Sequence, residues 1–158
     1  MEEKYENAIR MDLDKVGHKA LEEPEIIKML TQRIGSEILD ENGNIDRKKL
    51  GTMVFGEDGK YNLVILEAVV WEYIDKEIDK VLEATSAPII LEAIKLPAIK
   101  AWKKCTTKIL VSAECEERKV RVMERDSISE EEFDMRDNNS YDYSKCEFDI
   151  ILNTSEGT

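Results

Sequence analysis

The chain becomes continuously apolar over one short stretch, PIILE at residues 88–92, directly after a long segment whose hydrophobic residues recur at helical spacing. Two similar runs follow it, KILVS at residues 108–112 and FDIILN at residues 148–153. Short apolar runs between helical segments are typical of buried parallel strands that are covered on both faces. Because helix and strand alternate, the pattern predicts an α/β fold with one parallel sheet.

The segments around these runs have the hydrophobic spacing of helices. An apolar run at residues 8–11 ends in DLD at residues 12–14, where we expect a helix to begin with Asp14 as its N-cap. Pro24 and Gly35 are expected at the first turn and the end of a second helix. Further helices are predicted near residues 46–56, 60–83 and 116–125, and from the capping-box pattern SEEE at residues 129–132.

Composition and charge exclude several classes of protein. The chain has 158 residues, is 42% hydrophobic and 37% charged, and contains only 7 Gly and 3 Pro, so it is neither disordered nor collagen-like. A net charge of -12 disfavours nucleic acid and anionic membranes as partners, since both are polyanions. The acidic residues 1–6 contain no apolar run, and the apolar residues 63–73 are too few to span a bilayer. We expect a cytoplasmic protein with a single domain, residues 1–158.

The cysteines do not form a metal-binding pattern. Cys105, Cys115 and Cys146 are widely spaced, form no CxxC, and share the chain with a single histidine. A zinc site needs clustered thiolates or imidazoles, so we predict no protein-bound metal here. An odd number of scattered cysteines indicates free thiols in a reducing compartment.

Polar side chains follow the predicted strands at the edge where open α/β sheets bind ligands. These residues are Asp12, Asp14, Glu92, Ser112, Glu114 and Asn153. Carboxylates at neighbouring strand ends suit a magnesium-assisted reaction in which one carboxylate acts as a general base. The alternative is that Asp14 only caps a helix and Glu92 only ends a strand. His18 lies one helical turn further on, where a lone histidine more often packs or hydrogen-bonds than binds a ligand.

A second group of candidate residues is basic. Arg118, Arg121 and Arg125 share one helical face, and Arg136 follows them. Arginine suits phosphate because its planar group can donate two parallel hydrogen bonds. Glutamates are interleaved with these arginines, so a solvated face of ion pairs is the alternative interpretation.

One longer segment resembles a known family. The sequence ILDENGNIDRKKLGTMVF at residues 38–55 closely resembles a segment of the dephospho-CoA kinases, which carry a glycine turn, Asp-Arg, Leu and Val-Phe at this spacing. Residues 12–17, DLDKVG, look like the Asp-Ala-Asp motif of that family. Residues 121–126, RVMERD, with Ser129 and Arg136, are similar to its arginine-rich lid. Residues 148–155, FDIILNTS, are similar to its final strand, and the resemblance runs from about Asn7 to Thr158.

The resemblance implies both a fold and an activity. The fold is a three-layer P-loop-kinase-like domain with a parallel sheet, a helical substrate-side insertion at about residues 36–84 and a lid at about residues 114–142. The activity is that of a kinase, a transferase that moves the γ-phosphoryl of ATP, with Mg²⁺, to the ribose 3′-hydroxyl of dephospho-CoA. This transfer is the last step of coenzyme A biosynthesis. The implied partners are therefore dephospho-CoA and ATP.

The resemblance also implies roles for individual residues. Asp12 would be the base that accepts the ribose hydroxyl proton, and Arg136 would neutralise charge on the transferring phosphoryl group. Arg121 and Asn153 would contact the nucleotide. The residues implied to bind the substrate are Asp14, Lys15, His18 and Glu92.

The chain departs from the family pattern at several positions. It contains no GxxxxGK[ST], Trp71-Glu72 stands where the family usually has His-Pro, and LEAI at residues 91–94 stands where it has Asp-x-Pro. We expect the sheet to lack its first, central strand, and the chain to lack the family's C-terminal helix. As it stands, the chain is then expected to be inactive and either poorly stable, rearranged or a homo-oligomer. The alternative function is an inactive relative that binds nucleotide or a CoA-type ligand.

Overall fold

The computed structural model describes residues 7–55, 59–138 and 140–155, over which four strands and six α-helices alternate. The chain divides into two compact units, Met1–Ala101 and Trp102–Thr158. Alternating helices and parallel strands confirm the predicted α/β class. The expectations for residues 1–6, for a helix end at Gly56 and for the last three residues lie outside the described part of the chain.

The first unit contains two short strands and four helices. They are β1 (Ile9–Asp12), α1 (Leu13–Ala20), α2 (Pro24–Ile34), α3 (Arg47–Phe55), α4 (Lys60–Ala84) and β2 (Ile89–Glu92). As predicted, α2 begins at Pro24, and its C-cap is Gly35, whose φ of 131° is readily adopted only by glycine. Short 3₁₀ helices at Ser36–Ile38, Leu96–Ala98 and Lys100–Lys104 carry no periodic signal in the sequence.

The start of α1 differs from the prediction. The N-cap is Asp12, not Asp14, because the Asp12 carboxylate accepts a hydrogen bond from the Lys15 backbone N–H at 3.1 Å. No residue separates β1 from α1, so the last residue of the strand, with its extended backbone, already occupies the capping position. Asp14 lies instead in the first helical turn.

Two hydrophobic clusters stabilise the first unit. One consists of Ile26, Leu30, Ile38, Leu50, Val54 and Val69. The other consists of Leu13, Ile74, Ile78, Ile99 and Ala101. Helix α4 contributes to both clusters, and α1 lies close against it, since a Cβ on Gly17 would meet the Val70 side chain at 3.3 Å. Burial of these side chains is the main favourable contribution to folding of the unit.

Strands β1 and β2 form a parallel pair in which Arg10 aligns with Ile90 and Asp12 with Glu92. Met11 and Leu91 pack against the Leu13 cluster. Because side chains alternate between the faces of a strand, Arg10, Asp12 and Glu92 share the opposite face. The pairing therefore places two acidic strand ends side by side.

The second unit contains β3 (Ile109–Ser112), α5 (Cys115–Asp126), α6 (Glu130–Asn138) and β4 (Ile150–Asn153). The predicted capping box at the start of α6 is confirmed. Ser129 Oγ accepts the Glu132 N–H at 3.2 Å, and the Glu132 carboxylate accepts the Ser129 N–H at 3.2 Å. These two bonds satisfy backbone donors that a helix start otherwise leaves unpaired.

The strands form two pairs, whereas the apolar runs alone predicted one sheet and the family resemblance predicted a sheet without its central strand. Within the described residues β1 pairs only with β2, and β3 pairs only with β4, in register and parallel. The expectation that both faces of the strands are covered is wrong, because Ile90, Val111 and Ile151 are more than half exposed. A two-stranded pair has an unpaired edge on each strand and little face to bury, whatever its apolar composition.

Truncating a buried leucine tests the first hydrophobic cluster. Leu30→Ala should lower the free energy of unfolding by about 2–5 kcal/mol, because Leu30 is fully buried and its loss leaves a cavity. Leu82→Ala, the same substitution at an exposed site of α4, should cost less than about 1 kcal/mol. Urea unfolding monitored by circular dichroism measures both values. Equal losses of stability in the two variants would contradict the burial of Leu30 and the exposure of Leu82.

Candidate active site

Asp12 lies where β1 ends and α1 begins, and it contacts one residue in two ways. Its Oδ1 accepts the Lys15 backbone N–H at 3.1 Å, and its Oδ2 lies 2.9 Å from the Lys15 ammonium. Both contacts favour the ionised carboxylate, the ammonium more strongly, so they lower the pKa of Asp12 below its usual range. The result is a charged acceptor held at a fixed position at the end of the strand.

Asp14 and His18 lie on the same face of α1, one turn apart. Partial desolvation raises the pKa of the Asp14 carboxyl, and the charges of Asp12 and Glu92 raise it further. The imidazole of His18 acts in the opposite direction. Both side chains are accessible to solvent, so His18 is not a buried packing residue.

Glu92 pairs with Arg10, a residue that the sequence did not identify as part of a site. Arg10 donates to one carboxylate oxygen of Glu92 from both Nε, at 3.0 Å, and Nη2, at 2.5 Å. The two residues are 82 positions apart in the chain, so only the pairing of β1 with β2 brings them together. The signal available in the sequence was the position of Arg10, two residues before Asp12 on a strand and therefore on the same face.

In the second unit, Arg121 connects α5 to the end of β4. Its guanidinium donates to the Thr154 hydroxyl at 3.2 Å and to the Thr154 carbonyl at 2.8 Å, and it also pairs with Glu117. The neighbouring Asn153 uses its side-chain oxygen to accept the Ser155 N–H at 3.0 Å. Arg121 and Asn153, both expected at a nucleotide site, therefore lie at one edge of this unit.

Arg136 pairs with an aspartate that a second arginine also holds. Its Nη1 lies 3.1 Å from Asp126 Oδ2, while Arg125 donates to both oxygens of Asp126 at 2.7 and 3.1 Å. These arginines lower the pKa of Asp126, Arg125 more strongly than Arg136. Arg125, with two hydrogen bonds, is therefore the main partner of Asp126, and Arg136 makes one further contact.

The alternative interpretation of the arginines, a face of ion pairs, also has support. Besides the contacts of Arg121, Arg125 and Arg136, Arg118 lies 2.7 Å from Asp137. Lys119 is largely covered and pairs with both Glu130 and Asp134 of α6. Arg118 and Lys119 thus connect α5 to α6.

Residues 7–55, 59–138 and 140–155 contain no group of three His, Cys, Asp or Glu side chains able to hold a metal ion. Cys105, Cys115 and Cys146, which all lie in this part of the chain, form no disulfide within it. No helix in these ranges has the length and apolarity needed to cross a bilayer.

Comparison with known proteins agrees with the motifs and the fold. The family described as dephospho-CoA kinase matches residues 4–153 of the chain. The chain belongs to the dephospho-CoA kinase family. The dephospho-CoA kinase of Aquifex aeolicus is 36% identical over 129 residues, which are 80% of this chain and 64% of that protein. The enzyme of Leptospira interrogans is 33% identical over 109 residues, 68% of this chain and 52% of that protein.

Solved structures show the same fold. TT1252 from Thermus thermophilus superposes with a TM-score of 0.74 at 27% identity, over 96% of this chain and 78% of that one. A dephospho-CoA kinase from Campylobacter jejuni has a TM-score of 0.51 at 23% identity, over 95% of this chain and 77% of that one. The chain spans about half the length of the Leptospira family member and less than two thirds of the Aquifex one.

The two compact units divide the candidate residues between them. The first unit brings together Asp12, Asp14, Lys15, His18 and Glu92. The second unit holds Arg121, Arg136 and Asn153. Besides Arg10, sequence reasoning missed Thr154 and the pairing of Asp126 with Arg136, because both contacts join residues that are distant in the chain or on different helices.

The opposite pKa shifts of Asp12 and Asp14 predict opposite effects on stability. A lowered pKa means that ionised Asp12 stabilises the fold above the ordinary value of 3.8, and that this contribution is lost as the pH falls through the lower folded value. Asp12→Asn should therefore be less stable than the unmodified protein at pH 7, and the difference should shrink toward pH 3. Asparagine also caps helices, so the variant removes mainly the charge.

Asp14→Asn is the matched variant with the opposite sign. Because the pKa of Asp14 is raised, its ionised form opposes folding at neutral pH, and this penalty disappears below pH 3.8. Asp14→Asn should be at least as stable as the unmodified protein at pH 7, and any gain should vanish on acidification. Urea unfolding between pH 7 and pH 3 measures both differences. A loss of the same size and sign in both variants, constant with pH, would refute the assignment.

Proposed function

We propose that the protein to which this chain belongs transfers the γ-phosphoryl group of ATP to the ribose 3′-hydroxyl of dephospho-CoA. The observation that carries this proposal is the position of Asp12, an ionised carboxylate fixed at the end of β1 by two contacts with Lys15. Membership of the dephospho-CoA kinase family supports the choice of substrates. Aquifex aeolicus and Leptospira interrogans both have relatives of that name.

The protein itself forms no covalent bond to the substrates in this reaction. Phosphoryl transfer depends mainly on positioning and on stabilisation of negative charge. Asp12 would accept the proton of the ribose hydroxyl as its oxygen attacks the γ-phosphorus, and ADP would leave. Asp14, Lys15, His18 and Glu92 would contact the acceptor substrate around Asp12, with the ammonium of Lys15 attracting its phosphates.

The arginines would act on the nucleotide. Arg136 would leave Asp126 and donate to the transferring phosphoryl group, a change that Arg125 makes less costly because it stays paired with Asp126. Arg121 and Asn153, at the end of β4, would contact ATP. Mg²⁺ belongs to the nucleotide substrate, and it would neutralise charge on the phosphates of ATP.

A second candidate function is binding of nucleotide or a CoA-type ligand without transfer. Two positions at which the sequence departs from the family pattern favour it. Trp71 packs against the Leu13 cluster, and Glu72 pairs with Lys76 one turn away on α4, at 2.9 Å. Both residues are thus explained by packing and helix stability, without a part in catalysis.

The test uses the protein at the length that its gene encodes. It is titrated with dephospho-CoA and with ATP and Mg²⁺ by calorimetry, and the formation of coenzyme A is followed by chromatography. Binding accompanied by 3′-phosphorylation is the expected result. Binding of dephospho-CoA without turnover would replace the kinase proposal with the binding function, and absence of binding would refute both.

Asp12→Asn separates catalysis from binding. Loss of the base should lower kcat by roughly 10²–10⁴-fold, whereas the affinity for dephospho-CoA should change little because the asparagine keeps the same shape. Asp40→Asn is the control, since it makes the same exchange in the turn at residues 40–44 and keeps an oxygen for its backbone contacts. Turnover of Asp12→Asn at the rate of Asp40→Asn would remove Asp12 from its role.

A further inference from the structure

Three carboxylates crowd the end of the β1–β2 pair. Asp12 and Glu92 are aligned across the two strands, and Asp14 follows in the first turn of α1. Among the residues that the structure describes, the charged and titratable groups around Asp12 come from three elements: Arg10 on β1, Asp14, Lys15 and His18 on α1, and Glu92 on β2. Two adjacent like charges disfavour each other's ionisation and repel an approaching anion.

Each of the two cations at this edge pairs with a different carboxylate. Lys15 contacts Asp12 through its ammonium and its backbone N–H. Arg10 donates two N–H groups to one oxygen of Glu92. Arg10 and Glu92 are both accessible, with side chains 70% and 58% exposed, so the pair contributes little to folding. Loss of the contact should therefore change the stability of the fold little.

The position of Arg10 places its charge near both Asp12 and Glu92. It lies two residues before Asp12, hence on the same face of β1, and its guanidinium reaches across the strand pair to the residue aligned with Asp12. The attraction between Arg10 and Glu92 raises the pKa of Arg10, and the charge of Asp12 acts on it in the same direction. Arg10 thus interacts with both carboxylates of the aligned pair.

We propose that Arg10 is a positioning residue that pairs with Glu92 and cancels its negative charge beside Asp12, so that an anionic substrate can approach the carboxylate. The part of this inference that concerns substrate rests on the proposed function, because dephospho-CoA carries a diphosphate. The part that concerns the charge felt by Asp12 does not.

The first experiment measures how the charges of Arg10 and Glu92 affect the pKa of Asp12, and it needs no enzymatic turnover. The pKa of the Asp12 carboxyl is measured by carbon-13 NMR in the unmodified protein, in Arg10→Gln, and in Arg10→Gln combined with Glu92→Gln. Arg10→Gln should raise the pKa of Asp12, because it removes a cation and leaves Glu92 uncompensated. The double variant should bring the pKa back, since both charges are then gone.

The second experiment measures how Arg10 affects KM and kcat for dephospho-CoA. At pH 7 Asp12 stays ionised, so Arg10→Gln should raise KM for dephospho-CoA by about two- to fivefold and leave kcat nearly unchanged. Arg10→Lys keeps the charge and should keep both constants. Lys76→Gln is the control, because it removes a cation from an equally exposed pair on α4 and should change neither KM nor the pKa of Asp12.

The two experiments distinguish failure of the inference from failure of the proposed function. An unchanged pKa of Asp12 in Arg10→Gln, or a raised pKa that the double variant does not restore, would overturn the inference whatever the activity. The expected NMR result in a protein that forms no coenzyme A would uphold the charge compensation and reject the kinase proposal. An unchanged KM in an active protein would overturn the part that concerns substrate.

Discussion

The parallel pairing of β1 with β2 is the constraint on which the first unit depends. Its register aligns Met11 with Leu91, which both pack against the Leu13 cluster, and aligns Asp12 with Glu92 at the strand ends. A shift by one residue would exchange the two faces and bury charges in the cluster. One set of backbone hydrogen bonds therefore determines both the packing of the unit and the grouping of its acidic residues.

Local features of the fold were predictable because each is specified by residues close in sequence. The bounds of α2 depend on Pro24 and Gly35, and the start of α6 depends on Ser129 and Glu132. The choice between Asp12 and Asp14 as N-cap was not predictable from composition. It depends on where the strand stops, and the hydrophobic pattern leaves that boundary uncertain by a residue or two.

The features that the sequence did not predict depend on contacts between residues that are distant in the chain. The apolar strands indicated burial on both faces, whereas Ile90, Val111 and Ile151 are more than half exposed, because strand composition carries no information about what covers a strand. The same limit applies to the candidate site. Asp12 could be proposed from its motif, whereas the contact of Arg10 with Glu92 appears only when two segments 82 residues apart are aligned. The ion pair of Arg121 with Glu117 was predictable from their spacing of four residues, whereas the contact of Arg121 with Thr154 was not.

The close contact at Gly17 has a mechanical consequence for Asp12. Helix α1 has only 8 residues, too few to be stable by itself, so its direction is set by the surface of α4 on which it lies. Gly17 is five residues beyond the N-cap, about 7.5 Å along the helix axis. Leu13 and Ala20, at the two ends of α1, are buried as well, so the whole helix is held by packing. The absence of a side chain at Gly17 thus lets α1 lie close to α4, and Asp12 caps the first turn of that same helix.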